Sequence, residues 1–258
     1  MNRRAADGCV IDLDGTLYEG GRAVAGAAAA IVALRHARVP LCFATNTTRR
    51  PRSALVRRLR AMGIEVATDE LHTAPVAASA WLGRQGARRL SLLLPEATFE
   101  EFTGFELDSD RPDHVVVGDL GEEWTFEVLN RAFLALTAGA RLVAIHRNRS
   151  WDPGGGRQLD AGPFVAALEY AAGVEAVLVG KPSPAFFDTA AAALGVPRDR
   201  IAVVGDSIAN DVVGGHQAGC LGVAVRTGSF REDELATLDR PPDAILDSIA
   251  ELPDWLGV

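Results

Sequence analysis

Short apolar runs that stop abruptly at polar residues alternate along this chain with longer alanine-rich or amphipathic segments. Buried parallel strands joined by crossover helices produce this alternation. Helices are predicted at Ala25–Arg38, Arg52–Met62 and Pro184–Leu194. The fold class is therefore predicted to be α/β, with a Rossmann-like doubly wound parallel sheet as its core. The strands of that sheet are predicted at Cys9–Leu13, Pro40–Ala44, Ala176–Val179, Ile201–Val204 and Gly222–Val225.

The middle of the chain breaks this alternation with three further strand candidates. They are Leu90–Leu94, His114–Val117 and Leu142–Ile145, and turn or polar residues follow each of them. We predict that they belong to a second, smaller α/β unit inserted into the first at residues 74–178. Residues 1–73 and 179–258 then form the core domain.

Composition and charge exclude several classes of protein. The 258 residues carry 26 basic and 34 acidic side chains, and no basic run is long enough to follow a nucleic-acid backbone or an anionic membrane. The longest gentle stretch, Ala23–Leu34, is far shorter than the roughly 18 apolar residues that span a bilayer. Three widely spaced cysteines in apolar surroundings predict buried thiols in a reducing compartment. We expect a cytoplasmic protein with no nucleic-acid or membrane partner.

Polar residues follow the strands of the predicted core, at the edge where open parallel sheets bind their ligands. No glycine-rich phosphate loop is present, because Gly180-Lys181 is followed by Pro182. Four separate segments are instead expected to bring polar side chains to this edge. In chain order these residues are Asp12 and Asp14, Thr45 and Asn46, Lys181, and Asp206.

The sequence Asp12-Leu-Asp14-Gly-Thr-Leu is the sharpest feature, with about one chance occurrence per million positions at ordinary residue frequencies. A carboxylate at a strand end can attack phosphorus and form an aspartyl-phosphate. A second carboxylate two residues later lies on the same side of an extended chain, where it can protonate the leaving oxygen and then deprotonate water. Gly15 lets the backbone turn beside the phosphate. The structural alternative is an Asp-Gly turn with Thr16 as a helix cap.

The other three motifs also have structural alternatives when each is taken alone. Thr45-Asn46 can be a loop with a helix cap, and Lys181 can face solvent. Gly205–Ser207 can be a strand-to-helix turn, with Asp211 in a first helical turn where the macrodipole favours an acid. Their joint occurrence favours phosphoryl transfer, because this reaction needs mainly positioning and neutralisation of charge from the protein.

These four motifs, in this order, resemble those of the haloacid dehalogenase superfamily of phosphatases, over essentially the whole chain. The insert between the second and third motifs resembles the C2-type cap of that superfamily, as in the NagD-like proteins of subfamily IIA. Several stretches are similar to the phospholysine/phosphohistidine inorganic pyrophosphate phosphatase group. They are His146–Arg149, Leu159–Phe164, Ala167–Tyr170, Gly180–Pro184 and Arg226–Gly228.

The resemblance implies three carboxylates with catalytic or metal-binding roles. Asp12 would be the nucleophile and a ligand of Mg²⁺. Asp14 would be the general acid and base, with its backbone carbonyl on the metal. Asp206 would complete the metal site.

The resemblance also implies groups that hold the phosphoryl oxygens and support the site. Thr45 and Asn46 would bind those oxygens, and Lys181 would neutralise charge between the nucleophile and the phosphoryl group. Asp211 would orient Lys181 or a water on the metal. The supporting residues would be Gly15, Thr16, Ser207, Asn210 and Asp211.

We therefore expect a Mg²⁺-dependent phosphatase that acts through an aspartyl-phosphate on a small substrate: a phosphomonoester, pyrophosphate or a phosphoramidate. His146, Arg147 and Asn148 follow a predicted strand of the cap, where they would line the substrate entrance or form a solvated loop. The alternatives are a phosphotransferase of the same superfamily and a non-catalytic protein that binds a phosphorylated ligand. Cap-mediated dimers among similar proteins also imply a homodimer.

Overall fold

The computed structural model describes residues 5–151 and 156–258, which form two compact units. The first unit comprises the chain up to Thr45 with Arg52–His72 and Lys181–Val258, and the second comprises Asn46–Pro51 with Thr73–Gly180. Residues 46–51, predicted to belong to the core, thus pack with the inserted unit. Within the described ranges, no helix combines the length and the apolar character needed to cross a bilayer.

The elements are numbered in chain order. The strands are β1 (Gly8–Asp12), β2 (Tyr18–Glu19), β3 (Arg22–Ala23), β4 (Leu41–Thr45), β5 (Leu71–Thr73), β6 (Arg89–Leu93), β7 (Glu106–Leu107), β8 (His114–Val117), β9 (Arg141–Ala144), β10 (Ser150–Trp151), β11 (Gln158–Leu159), β12 (Val177–Leu178), β13 (Ile201–Gly205), β14 (Leu221–Val225) and β15 (Ala244–Leu246). The α-helices are α1 (Ala27–His36), α2 (Arg52–Ala61), α3 (Ala74–Arg84), α4 (Phe126–Thr137), α5 (Ala161–Ala172), α6 (Pro184–Leu194), α7 (Gly214–Gln217) and α8 (Leu252–Leu256). A π-helix spans Ile208–Val213, and short 3₁₀ segments lie at Thr68–Glu70, Glu96–Phe102, Gly121–Glu123, Arg198–Arg200, Glu232–Thr237 and Ile249–Glu251.

The first unit is built on a six-stranded sheet with the order β15-β14-β13-β1-β4-β5. β1 pairs in parallel with β13 on one side and with β4 on the other, so the chain crosses over in opposite directions from this strand. Such a reversal opens a crevice at the carboxyl end of the strand, which is where open α/β sheets bind ligands. The predicted edge for polar chemistry is therefore the carboxyl end of β1.

Helices cover both faces of this sheet, as the doubly wound prediction requires. Ile11 of β1 packs in one cluster with Ile31 of α1 and Leu55 of α2. On the opposite face, Gly215 of α7 lies so close to the sheet that a Cβ there would be 2.9 Å from Val203. Because both faces are buried, the strands are apolar throughout, and this is why short apolar runs predicted them.

Local signals set the ends of the helices. α6 begins and ends at the predicted residues, because the Ser183 hydroxyl accepts a hydrogen bond of 3.3 Å from the Ala185 amide and Gly195 takes a left-handed conformation with φ 64°. α1 is shorter than predicted, because Gly26 has φ 82° and lies outside the helical region.

The second unit contains a five-stranded sheet with the order β12-β9-β8-β6-β7, in which all neighbouring strands are parallel. Leu136 of α4 and Leu168 of α5 join a cluster with Val115 on one face. Leu82 of α3 joins a cluster with Val116 on the other face. The insert is thus a smaller α/β unit, as predicted.

One predicted core strand was wrong. The run Ala176–Val179 contributes β12, which pairs with β9 at the edge of the second sheet and is absent from the described core sheet. A buried parallel strand has the same apolar sequence pattern in either sheet. Only its pairing partner in the structure shows which sheet it belongs to. The short strands β2, β3, β5 and β15 were not predicted, because two or three residues are too few to show a pattern of apolar and polar positions.

Candidate active site

The register of the first sheet brings three predicted residues to one edge. Asp12, the last residue of β1, lies opposite Ala44 of β4, so Thr45 is the next residue outward on that side. β13 flanks β1 on the other side, and Asp206 directly follows its last residue. Asp12, Thr45 and Asp206 are all buried. Parallel pairing alone therefore gathers the first, second and fourth motifs.

Lys181 lies between two buried carboxylates. Its Nζ donates hydrogen bonds to Oδ1 of Asp12 and, at 2.8 Å, to Oδ1 of Asp211. Lys181 is 4% exposed and Asp211 is 1% exposed. Burial by itself lowers the pKa of the Lys181 ammonium, but the charges and hydrogen bonds of Asp12 and Asp211 raise it above its usual value. The third motif thus holds a fixed positive charge beside the predicted nucleophile.

Lys181 is also the only lysine among the 26 basic side chains of the sequence. Arginine carries a planar fork of five donors, whereas lysine carries a compact ammonium on a flexible stem. A buried position between two carboxylates suits the compact charge. The single lysine is therefore a further signal in the sequence for this residue.

Backbone from two loops packs closely around Asp206. A Cβ at Gly15 would lie 2.5 Å from Cγ of Asp206, and one at Gly228 would lie 2.8 Å from the same atom. Both glycines have left-handed φ values, 85° and 62°. The Ser229 amide donates a hydrogen bond of 2.6 Å to Oδ2 of Asp206. Burial raises the pKa of the Asp206 carboxyl, and the hydrogen bonds from Ser229 oppose that rise.

Asp211 lies in the π-helix Ile208–Val213 and not in the first turn of an α-helix. While its Oδ1 accepts the lysine hydrogen bond, its Oδ2 accepts one of 3.2 Å from the Ser207 amide. The Ser207 hydroxyl in turn accepts a hydrogen bond of 3.2 Å from the Asn210 amide. A Cβ at Gly205 would overlap the Asp211 side chain. Only glycine at that position allows Asp211 to reach the site.

Three carboxylates form a candidate metal centre. Asp12, Asp206 and Asp211 each offer an oxygen within 4.8 Å of the others. Burial raises the pKa of the Asp12 carboxyl against the opposing charge of Lys181, and Asp211 and Asp206 raise it further. A divalent cation would relieve that repulsion, and oxygen ligands are those that Mg²⁺ prefers. Since both oxygens of Asp211 accept hydrogen bonds, Asp12 and Asp206 are the better-placed ligands.

Asp14 and Thr16 differ sharply in exposure. The Asp14 side chain is exposed. The pKa of its carboxyl is nevertheless raised, mainly by partial loss of hydration; the charge of Arg58 lowers this pKa and that of Glu19 raises it. Thr16 is fully buried, and its hydroxyl has no hydrogen-bond partner among the described residues. Because the next α-helix begins only at Ala27, Thr16 is not its cap.

The three cap candidates belong to the second unit and contact other parts of it. His146 is buried, with Nε2 3.6 Å from Oδ1 of Asp160. Arg147 forms an ion pair of 2.6 Å with Glu169. Asn148 has an exposed side chain, and its carbonyl accepts a hydrogen bond of 3.0 Å from a backbone amide of α5.

Contacts that no pattern in the sequence predicted attach the segment 46–51, which carries Asn46, to the rest of the second unit. Nε of Arg49 donates a hydrogen bond to Oδ2 of Asp119, and Nη2 donates one of 3.0 Å to Oδ1 of the same carboxylate. The Asp119 amide donates a hydrogen bond of 3.3 Å to the Thr48 hydroxyl. The position of Asp119 just after β8 was the only signal in the sequence.

Two family profiles match the chain. Residues 9–107 match the haloacid dehalogenase-like hydrolase family, and residues 178–252 match a HAD-hydrolase-like family. The first match includes Asp12, Asp14 and Thr45. The second includes Lys181 and Asp206.

Similar proteins cover almost the full length. Human phospholysine phosphohistidine inorganic pyrophosphate phosphatase is 34% identical over 255 residues, which are 96% of this chain and 93% of that protein. Human haloacid dehalogenase-like hydrolase domain-containing protein 2 is 36% identical over 253 residues, 98% of this chain and 96% of that protein. The crystal structure of 4-nitrophenylphosphatase from Thermotoga maritima has a TM-score of 0.89 at 30% identity and covers 97% of each chain. NagD from E. coli K-12 has a TM-score of 0.89 at 26% identity, over 96% of this chain and 98% of that one.

Proposed function

This chain belongs to the haloacid dehalogenase-like hydrolase family, subfamily IIA, and is a phosphatase; on that basis we propose that it hydrolyses a small phosphorylated substrate with Mg²⁺ through an aspartyl-phosphate. The observation that carries the proposal is the placement of the single lysine, Lys181, in hydrogen-bond contact with Asp12 beside Asp206. One fixed cation and a group of close carboxylates are what phosphoryl transfer needs from a protein.

The first step forms the phosphoenzyme. A carboxylate oxygen of Asp12 attacks phosphorus, and the bond from phosphorus to the leaving group breaks. Lys181 neutralises the charge that develops on the phosphoryl oxygens, and it needs no reorganisation because both of its carboxylate partners are buried. We propose that Thr45 and Asn46 bind the remaining phosphoryl oxygens.

Asp14 transfers protons in both steps. As an acid it protonates the leaving oxygen or nitrogen, and as a base it then takes a proton from the water that attacks phosphorus. The bond between phosphorus and the Asp12 oxygen breaks in this second step, which releases phosphate and restores the Asp12 carboxylate. The raised pKa of its carboxyl favours the protonated form that the first step requires. Its exposure allows contact with both a leaving group and water.

The chain's own residues fit a Mg²⁺ ion. The carboxylates of Asp12 and Asp206 and the backbone carbonyl of Asp14 would hold it. When bound, the ion would neutralise charge on the phosphoryl group. The Ser229 amide holds Asp206 in place, and Asp211 keeps Lys181 in position.

The proposed substrates are pyrophosphate, a phosphoramidate or a small phosphomonoester. The first two follow from the name of the human relative that is 34% identical, and the third from that of the Thermotoga maritima 4-nitrophenylphosphatase. A cytoplasmic location is proposed on the three unpaired, buried cysteines.

The test is phosphate release by the purified protein, with Mg²⁺ and with EDTA. The substrates are pyrophosphate, phospholysine and phosphohistidine analogues, nucleoside monophosphates, phosphoglycolate, sugar phosphates and p-nitrophenyl phosphate. Asp12→Asn is expected to lower release by more than about 10³-fold. Asp69→Asn makes the same chemical change at an exposed aspartate and is expected to leave release unchanged.

The outcomes separate the alternatives. Release that needs both Mg²⁺ and Asp12 supports the proposal, and the preferred substrate then names the class. Release that survives Asp12→Asn contradicts the aspartyl-phosphate route. Tight binding of a phosphorylated ligand without turnover identifies a binding protein, and transfer of the phosphoryl group to an acceptor other than water identifies a phosphotransferase.

A further inference from the structure

Three consecutive residues after β14 contact Gly15 and Asp206 of the proposed phosphatase site and Glu19 of the neighbouring β2. We refer to Arg226–Phe230 as the 226–230 loop. Each contact is a hydrogen bond: from Thr227 Oγ1 to the Gly15 carbonyl at 2.5 Å, from the Gly228 amide to the Glu19 carboxylate, and from the Ser229 amide to Oδ2 of Asp206 at 2.6 Å.

The loop lies against these partners without space for a larger residue at its centre. A Cβ at Gly228 would lie 2.5 Å from Cα of Gly15 and would overlap the Asp206 carboxylate. Gly228 also has φ 62°, which side-chain-bearing residues rarely adopt. Position 228 therefore requires glycine for two independent reasons.

The loop is itself anchored at both ends. The Arg226 amide donates a hydrogen bond of 2.9 Å to the Leu246 carbonyl of β15, and its guanidinium lies 5.4 Å from the ring centroid of Phe230. Phe230 packs against Ile208 and Val212 of the π-helix that carries Asp211. A loop held at both ends in this way can fix the position of the groups that it contacts.

We propose that the 226–230 loop sets the position of Asp206 relative to the turn after Asp12, and thereby the affinity of the site for Mg²⁺. Thr227 and Ser229 are positioning residues, because they hold Gly15 and Asp206 and act through them. Hydrogen-bonding partners that orient metal-binding carboxylates contribute strongly to metal affinity. The inference rests on the proposed function, in which Asp12 and Asp206 hold the cation.

The experiment measures Mg²⁺ binding to the metal-free protein by titration calorimetry, which does not depend on turnover. Thr227→Val removes the hydroxyl at nearly constant shape, and Thr227→Ser restores it. Thr237→Val is the matched control, because the exposed Thr237 also donates a hydrogen bond, of 2.8 Å, to a backbone carbonyl. The Mg²⁺ concentration for half-maximal phosphate release and the melting temperature without metal are recorded for each variant.

Thr227→Val is expected to weaken Mg²⁺ binding by about 10-fold, the lower end of the effect of losing a partner of a metal ligand, because Thr227 acts through Gly15 and not on a ligand directly. Thr227→Ser should recover most of the affinity, and Thr237→Val should bind as the wild type does. Saturating Mg²⁺ should restore most of the turnover of Thr227→Val. Gly228→Ala should bind Mg²⁺ more weakly still; if it does not fold, the threonine series alone decides.

The inference is overturned if Thr227→Val binds Mg²⁺ like Thr237→Val, even when its melting temperature falls, because the loop is then only structural. It is also overturned if turnover of Thr227→Val stays low at saturating Mg²⁺ while its binding is unchanged. Failure of the proposed function looks different. In that case the wild type binds no Mg²⁺, or the variant Asp206→Asn binds Mg²⁺ as tightly as the wild type does. The inference then fails together with the metal site.

Discussion

The Lys181 ammonium and the Asp211 carboxylate form a buried ion pair, with Nζ 2.8 Å from Oδ1. The second oxygen of Asp211 is held by the Ser207 amide, so the carboxylate cannot turn away from the lysine without losing a hydrogen bond. Asp211 thus fixes Lys181 while Asp12 accepts from the same ammonium. The pair fixes Lys181 within the first unit, in the position from which it is proposed to neutralise the phosphoryl group.

Lys181→Met is expected to lower the free energy of unfolding by about 3–5 kcal/mol at neutral pH, because it leaves two buried carboxylates without their cation. Denaturant unfolding followed by circular dichroism measures this. In the double variant Asp12→Asn/Lys181→Met one of those carboxylates is neutral, so the combined loss should be smaller than the sum of the two single losses. Strictly additive losses would show that the two groups do not interact.

The single lysine allows its charge state to be followed directly. Because Asp12 and Asp211 raise the pKa of Lys181 despite its burial, the ammonium should stay protonated above about pH 10.4, where an ordinary lysine titrates. Its contribution to stability is present in full below the unfolded pKa and is lost as the pH rises through the folded pKa. Nuclear magnetic resonance of protein labelled only at lysine Cε gives one signal to titrate. A midpoint at or below the ordinary value would contradict the buried pair.

Gly205→Ala is expected to impair both stability and turnover, since the added Cβ would overlap the Asp211 side chain. Overpacking of this kind costs about 1–3 kcal/mol, and Asp211 must move away from Lys181 to relieve it. Gly83→Ala in α3 is the control, because nothing lies within 4 Å of its added Cβ. That change should be neutral or stabilising by up to about 1 kcal/mol. Equal effects of the two substitutions would refute the steric argument.

All three cysteines are expected to resist thiol reagents in the folded protein. Burial raises the pKa of Cys9 to about 12 and that of Cys220 to about 11. The pKa of Cys42 is also raised to about 12, by burial and by the charge of Glu70. The reactive thiolate is therefore scarce at neutral pH. Titration with an aromatic disulfide should find no fast-reacting thiol in buffer and all three in denaturant. A thiol that reacts quickly without denaturant would show that its surroundings open.

Glu169→Ala should destabilise the second unit more than Arg147→Ala does. The Arg147–Glu169 pair is partly exposed at the arginine, and such pairs contribute about 0–1 kcal/mol. Glu169 also accepts a hydrogen bond of 2.8 Å from the Ala176 amide, whose loss adds about 1 kcal/mol or more. Thermal unfolding of the two variants, compared with Arg131→Ala on the exposed face of α4, measures the order. Equal destabilisation by Glu169→Ala and Arg147→Ala would mean that the hydrogen bond from the Ala176 amide to Glu169 contributes nothing to stability.

The helix α6 and the buried strands were predictable because their signals are local. Ser183, Pro184 and Gly195 act on the backbone within a few residues of themselves, and an apolar run reports burial wherever it lies. The sheet to which Ala176–Val179 contributes a strand was not predictable from such local signals. Its pairing with β9 depends on residues far away in the chain.

The sequence by itself determined the α/β class, the inserted second unit and the candidate reactive groups, since residue type and order decide what chemistry is available at strand ends. Its single lysine even marked the position of the fixed charge. Tertiary structure alone decided which backbone holds those groups. The hydrogen bond from Thr227 to Gly15 joins residues 212 positions apart. The approach of Gly205 to Asp211 and of Gly228 to Asp206 depends on how closely the backbone packs against each carboxylate. No pattern along the chain encodes contacts of that kind, because they exist only after the sheet has formed.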